Sequence, residues 1–358
     1  MNDSLPLYDG TTVINTNRLT KAFGNLVAVN DLHLQVMQGD VFGFLGPNGS
    51  GKTTTIRMLL GLIRPTAGRA ILFGMDNTYQ LPAILQRVGA IVEMPVFYPY
   101  LSGLDNLRVI TVNSGMVAGK ANDHRLEEVL EIVELRNYAK LAYRKYSLGM
   151  KQRLGIAAAL LNDPELVLLD EPTNGLDPSG MIEIRHLIQR LSSLGKTIFL
   201  SSHILSEVQQ VCNRVGILRK GNLVKQGNVN ELLRASEQIE VRMSRDDQTE
   251  YAQGVLRQAQ QQGADWIMDV TLEQNMRNQS VLMVNAPAFR SAEVNMLLAQ
   301  NSLFAAEIHP REGSLEELYL QVTTSSPSAG EHVGMEALAQ APGDTGIETP
   351  GKGKGGNK

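Results

Sequence analysis

The chain has 358 residues, 43% of them hydrophobic, and a formal net charge of −4. That length suits one large domain plus a smaller one, and the acidic balance argues against nucleic acid as a partner, because its binders usually present a broad basic surface. The single cysteine, Cys212, excludes a disulfide framework and fits the cytosol; "MNDSLPLYDG" has neither region of a signal peptide, and no run approaches the ~18 apolar residues of a membrane span.

From about residue 13 to 234, short apolar runs alternate with helical patterns and Gly/Pro punctuation. "VFGFL" (41–45), "GAIV" (89–92), "LVLLD" (166–170), "TIFLSS" (197–202) and "VGIL" (215–218) read as strands, apolar on both faces. Such strands belong to a largely parallel sheet covered by helices. The first of them runs into "GPNGSGKT", Gly46 to Thr53, which fits the phosphate-loop pattern between a strand and a helix. Gly46, Pro47, Asn48, Gly49, Ser50 and Gly51 turn backbone N–H groups toward phosphate oxygens, and the following helix N-terminus, with Thr54, adds its partial positive charge. Lys52 reaches the outer phosphates, and the Thr53 hydroxyl is offered to Mg²⁺.

The second strand ends on a single carboxylate, Glu93, and then enters a loop of prolines and aromatics, "MPVFYPYL". Residues 104–160 lack strand runs and read as a helical insertion. Within it, Ser147 is a good N-cap and Gly149 allows close backbone approach to an anion at the start of "MKQRLGIAAALL". An ordinary capped helix would show the same residues. "LVLLDEP" places Asp170 and Glu171 at the C-terminal end of a strand, where open α/β sheets hold ligands. There Asp170 suits Mg²⁺ and Glu171 suits the base that activates water. "TIFLSSH" ends on His203, whose neutral imidazole can donate to a terminal phosphate, or else simply opens the next helix in solvent. His33, His124, His186, His309 and His332 show no such placement.

Beyond about 235 the order changes to βαββαβ. "IEVRM" is a strand, 248–262 a helix, "WIMDVTLE" and "SVLMVN" a hairpin around "QNMRN", "SAEVNMLLAQN" a helix and "FAAEI" a strand. The order predicts a small ferredoxin-like α+β domain over 235–323. "SLEELYLQV" closes it as a helix with a Ser314–Glu317 capping box. From 324 to 358 almost no large apolar residues remain, so a disordered tail is expected. Its last lysines could alternatively touch acidic lipid.

"GPNGSGKT", "SLGMKQ", "LVLLDEPTNGLDP" and "SSH" occur in the order and spacing of the ATP-binding subunits of ABC transporters. Over residues 13–230 the chain resembles that family, and more narrowly the ATPases of bacitracin- and lantibiotic-type exporters, which also close on segments like "SLEELYLQV". The resemblance implies a P-loop ATPase fold, ATP and Mg²⁺ as ligands, and export powered through separate membrane-spanning subunits from the cytoplasmic face. It also implies that Phe23 stacks on adenine and that Asp177 communicates between protomers. Ser147 and Gly149 would meet ATP held by a second copy, head to tail. Glu93 stands where most of the superfamily carries glutamine, beside Mg²⁺ and the attacking water, and Glu93–Leu101 would face the permease. An ionised glutamate keeps an oxygen for the metal but cannot donate, and it adds charge beside phosphates. The rival is a soluble ATP-gated module of translation or DNA maintenance; such proteins usually carry two cassettes or long coiled coils, and this chain has neither. A P-loop protein that has lost hydrolysis is disfavoured, since every catalytic residue type is present.

Overall fold

The computed structural model describes residues 10–93, 96–114, 120–274 and 279–324. The expected tail, apart from Thr324, lies outside the described residues, as do Met94, Pro95 and most of the "QNMRN" turn.

Strands β1 (Thr12–Phe23), β2 (Leu26–Leu32) and β3 (Gln35–Met37) come first, then β4 (Val41–Leu45) and helix α1 (Lys52–Leu59). β5 (Ala67–Leu72), β6 (Met75–Asp76), α2 (Leu81–Leu85) and β7 (Val88–Ile91) follow. The helical insertion holds α3 (Gly103–Asn113), α4 (Lys120–Ile132) and α5 (Leu148–Leu160). The chain then alternates through β8 (Leu166–Leu169), α6 (Pro178–Ser193), β9 (Thr197–Ser202), α7 (Leu205–Val211) and β10 (Arg214–Arg219), and returns along β11 (Asn222–Asn228) to α8 (Val229–Ala235). The last stretch is β12 (Gln238–Met243), α9 (Thr249–Gln261), β13 (Asp269–Gln274), β14 (Ser280–Asn285), α10 (Ser291–Gln300), β15 (Ala305–Arg311) and α11 (Leu315–Thr324).

The central sheet has the order β11-β10-β4-β9-β8-β7, parallel except for the β10–β11 hairpin. Every residue of β4, β8 and β9 is buried, because both faces are covered. The two-residue period decides which core each side chain joins. Val41, Leu45, Val167, Leu169, Ile198 and Leu200 face the helices. Phe42, Phe44, Leu166, Leu168 and Phe199 face an antiparallel sheet in which β1 pairs with β2, β3 and β5. Phe42 and Phe199 stack there on adjacent strands with centroids 5.6 Å apart. The sequence reading does not separate this second sheet: β1 is bulged against each of its partners, which breaks the alternation that would reveal it.

The helices start where their capping residues place them. Ser102, Ser147 and Asp177 accept from the N–H groups of Asp105, Met150 and Gly180, and Pro178 opens α6 at a position that needs no donor. Cys212 is buried, and burial pushes its thiol far above the usual range, so it takes no part in surface chemistry.

β12, β13, β14 and β15 form a separate antiparallel sheet in the order β13-β14-β12-β15. Ile239, Val241, Leu282 and Val284 on one face pack against Val255, Leu256, Val294 and Leu298 of α9 and α10. Sequence order places α11 with this unit, whereas packing places it elsewhere. Leu315 and Leu318 are buried in the helix-side core of the central sheet, where α11 lies against α7 and α8. An amphipathic helix declares a buried face but not which core will take it.

One surface clamp holds the edge of the central sheet. Arg87 Nε and Nη2 donate to Glu165 Oε1 and Oε2 at 2.6 and 2.7 Å, joining the residues that precede β7 and β8. The hydrogen bonds from Arg87 hold the Glu165 carboxyl below its usual range. With the folded value depressed, the stabilisation is fully present above the unfolded carboxylate range and is lost as pH falls through the folded value. Glu165→Gln should therefore lower the unfolding free energy at neutral pH, measured by urea titration, by about 0.2–1 kcal/mol for so exposed a pair. The difference from wild type should shrink as pH falls through the depressed carboxyl value; a gap that acidification leaves unchanged would reject the clamp as its source.

Candidate functional site

The strand order sets the site. β9 lies between β4 and β8, so the loop after β4, the acids after β8 and the histidine after β9 share one end of the sheet. Gly46 N–H donates to the Ser202 carbonyl at 3.3 Å, fastening the loop to the end of β9. Pro47, Asn48 and Gly49 are exposed, while Gly46 and Ser50 are buried beneath them. Two glycines here cannot be replaced freely. A Cβ on Gly46 would lie 2.4 Å from the Leu218 carbonyl oxygen and 2.5 Å from Ser50 Oγ. Gly51, the N-cap of α1, has φ 109°, and its Cβ would lie 2.4 Å from the Ala28 carbonyl oxygen. The loop is therefore drawn tight against β2 and β10.

Lys52 is 5% exposed. Its Nζ donates to the carbonyls of Gly46 at 2.7 Å and Pro47 at 3.3 Å, and lies 3.1 Å from Glu171 Oε1. The other Glu171 oxygen is 2.7 Å from His203 Nδ1. A cation from the start of α1, a carboxylate from the loop after β8 and an imidazole from just past the end of β9 thus form one chain of contacts. Glu171 is held in the left-handed region at φ 49°, a conformation that costs a non-glycine residue about 1–3 kcal/mol. The residue that fixes it is Ser201, which sequence reasoning does not single out. Ser201 Oγ accepts from the Glu171 N–H at 2.9 Å and donates to Asp170 Oδ1 at 2.5 Å. Only the adjacency of β8 and β9 reveals this role; a serine in the last residues of β9, shortly before His203, is the sole local signal.

Glu93 stands apart from that chain. It too has a positive φ, 69°, just beyond β7, and its carboxylate pairs with Arg57 of α1. Behind it, Val96, Tyr98 and Tyr100 are exposed, whereas Phe97 packs on Tyr143 with centroids 5.1 Å apart. Phe23 ends β1 at 49% exposure with Lys21 Nζ 5.0 Å from its ring centroid.

Ser147, Gly149 and Asp177 are also placed outward. Among the described residues, no hydrogen bond or ion pair links them to the Lys52–Glu171–His203 chain. Ser147 caps α5, and a Cβ on Gly149 would meet nothing nearer than Glu183 Oε2 at 3.9 Å. Asp177 is exposed and caps α6 through Gly180 N–H at 3.3 Å.

The oxygen donors suit a hard divalent cation. Thr53 lies in the first turn of α1 and Asp170 is buried beside Glu171, and Ser50 Oγ in the loop is buried without a hydrogen-bond partner. Hydroxyl and carboxylate oxygens are what Mg²⁺ takes, together with water and phosphate.

Residues 29–174 match the family model described as ABC transporter. The chain is 41% identical to the bacitracin transport ATP-binding protein of Bacillus licheniformis over 87% of its own length and 97% of that protein. It is 38% identical to a lantibiotic transport ATP-binding protein of Streptococcus pyogenes, over 59% of this chain and 89% of that one. Among solved structures it superposes on an ATP-binding subunit of an ABC transporter with a TM-score of 0.55 and 27% identity, covering 62% of this chain and 92% of the other. A dimeric bacterial ABC transporter cassette matches with a TM-score of 0.54 and 25% identity, over 60% and 98% of the two chains.

Proposed function

The chain belongs to the ATP-binding proteins of ABC transporters, and from that premise we propose that it binds and hydrolyses ATP to power export through separate membrane-spanning subunits. The observation that carries the reading is the Lys52–Glu171–His203 chain at the end of β4, β8 and β9. The cargo class follows the relatives: a peptide antibiotic, or a drug or amphiphile of that kind.

In this reading the loop over 46–51 and the start of α1, with Thr54, cradle the phosphates, and Phe23, half exposed at the sheet edge, stacks on the adenine. The Lys52 ammonium now held by Glu171 moves its pairing to the terminal phosphates. That releases the Glu171 carboxylate to accept a proton from the attacking water. His203, which touches the same carboxylate, donates toward the terminal phosphate. Thr53 and Asp170 would hold Mg²⁺, which when bound offsets phosphate charge. Glu93 would complete that set once Arg57 yields it.

Ser147 and Gly149 present a capped, open helix start, and Asp177 lies exposed on the loop before α6. A second copy arranged head to tail would bring these groups to the outer phosphates of the first. Residues 93–101 supply the docking surface for the permease, where Val96, Tyr98 and Tyr100 are exposed. Among the described residues no helix is long and apolar enough to cross a membrane, so the partner supplies the span. The unit built on β12–β15 is a ferredoxin-like module attached to this engine.

The test is co-purification of the tagged chain from detergent-solubilised cells. A multi-span membrane protein in stoichiometric amount is the expected companion. Ribosomes or DNA in its place would favour the soluble module and overturn the transport reading.

A further inference from the structure

A partly buried ion pair lies behind the catalytic chain. Arg185 of α6 donates to Glu207 of α7 with two nitrogens, Nη2 to Oε1 at 2.7 Å and Nε to Oε2 at 3.4 Å. Their side chains are only 19% and 14% exposed. A pair so withdrawn from water gains little net stability, because desolvation offsets the attraction. Its consequence here is geometric.

The two partners belong to the two segments whose front ends meet at the site. Glu171 leads through the loop to Asp177 and α6, which carries Arg185. His203 leads directly into α7, which carries Glu207 four residues on. The front ends touch through Glu171 Oε2 and His203 Nδ1 at 2.7 Å; the rear ends touch through Arg185 and Glu207. Between them lies a tight apolar gap lined by Pro172, Thr173, Leu200, Ser202 and Val208. α7 has only seven residues, and its N-cap, Ile204, offers no side-chain cap. Ser202 Oγ accepts from Ile204 N–H at 3.0 Å and Val208 is buried, which fixes the depth of the helix. Neither contact fixes its rotation about the strand end, and that rotation sets where the His203 ring falls. The two-pronged Arg185 fork constrains it from the α6 side, since a planar guanidinium sets both distance and angle, while the Leu315 N–H on Gln209 Oε1 holds the α11 side.

We propose that Arg185 and Glu207 are positioning residues for hydrolysis: they lock α7 to α6 and thereby hold His203 on Glu171. The proposal rests on the roles assigned to Glu171 and His203 above. Among the described residues no hydrogen bond or ion pair links Arg185 or Glu207 to the phosphate loop or Lys52, so the pair acts on turnover and leaves ATP affinity alone.

Arg185→Lys keeps the charge and removes the fork, and Glu207→Gln keeps a hydrogen-bond acceptor and removes the charge. Each is expected to lower kcat by about 10- to 100-fold, the scale on which small misplacements of catalytic groups act. KM for ATP should stay near wild type, while Glu207→Gln, which leaves the Arg185 charge uncompensated, lowers the thermal midpoint more than Arg185→Lys, which keeps the charge. The double variant Arg185→Lys/Glu207→Gln should cost no more than the worse single one, because the two residues act as a unit. Unchanged kcat in both single variants overturns the proposal, and so does a kcat loss matched by a parallel loss of ATP affinity. Glu171→Gln measured alongside separates the two levels. Full turnover in that variant removes the site reading itself, whereas an inactive Glu171→Gln beside a fully active Arg185→Lys removes only the positioning pair.

Discussion

Glu171→Gln is expected to reduce ATP turnover by about 10²- to 10⁴-fold, the range for loss of a positioned general base, equivalent to about 3–5 kcal/mol of barrier. The substitution isolates basicity from geometry. A glutamine in the same place still offers Oε1 to Lys52 and can still meet His203 across 2.7 Å. The backbone remains anchored by Ser201 Oγ on the residue's own N–H. The cradle is untouched, so ATP should bind at least as tightly; removing a carboxylate near the phosphates also removes repulsion. Binding without turnover has a visible consequence for a head-to-tail dimer. The closed form should accumulate in ATP, seen as a dimer by size-exclusion chromatography, while wild type cycles back. Turnover at the wild-type rate would remove Glu171 as the base. Loss of turnover with no ATP-dependent dimer would leave the base and remove the sandwich arrangement.

Much of this site is legible in the sequence because its chemistry is concentrated in short contiguous motifs. The strands that carry it are buried on both faces, and "VFGFL" and "TIFLSS" have the same limits in sequence and structure. What escapes is pairing across long separations. Arg57 and Glu93 are 36 residues apart and Arg185 and Glu207 are 22 apart. Neither pair follows a local period, so only the packing of helices around the sheet brings them together. Ser201 escapes for a related reason: its two partners both belong to the next strand's end, and a sequence does not state which strand is next. The βαββαβ order of the C-terminal unit is legible from its alternation of patterns, whereas the docking of its last helix is not.

That docking makes the second strong expectation. Leu315→Ala should destabilise the ATPase core, not the C-terminal sheet, by about 2–5 kcal/mol. Leu315 is fully buried, and its N–H donates to Gln209 Oε1 of α7 at 3.1 Å. The turn before it is packed to the limit: a Cβ on Gly313 would lie 2.0 Å from the Leu233 carbonyl oxygen at the end of α8. α11 is thereby pressed against both α7 and α8, and a methyl in place of isobutyl leaves a void that such tight neighbours cannot collapse to fill. In thermal unfolding the transition that ATP raises should drop by roughly 5–15 °C. Leu320→Ala, at a position 59% exposed on the same helix, should change it by little, within about 0.5 kcal/mol. Leu282→Ala, in the core of the C-terminal sheet, should instead loosen that sheet and spare the ATP-sensitive transition. If Leu315→Ala behaved like Leu282→Ala, α11 would belong energetically to the C-terminal unit. If it does not, cutting the chain near residue 235 cannot yield a clean ATPase. The cut removes a helix of the ATPase core itself and bares the surfaces of α7 and α8, so any loss of coupling after truncation would report damage to α7, the helix that follows His203, before it reported a regulatory domain.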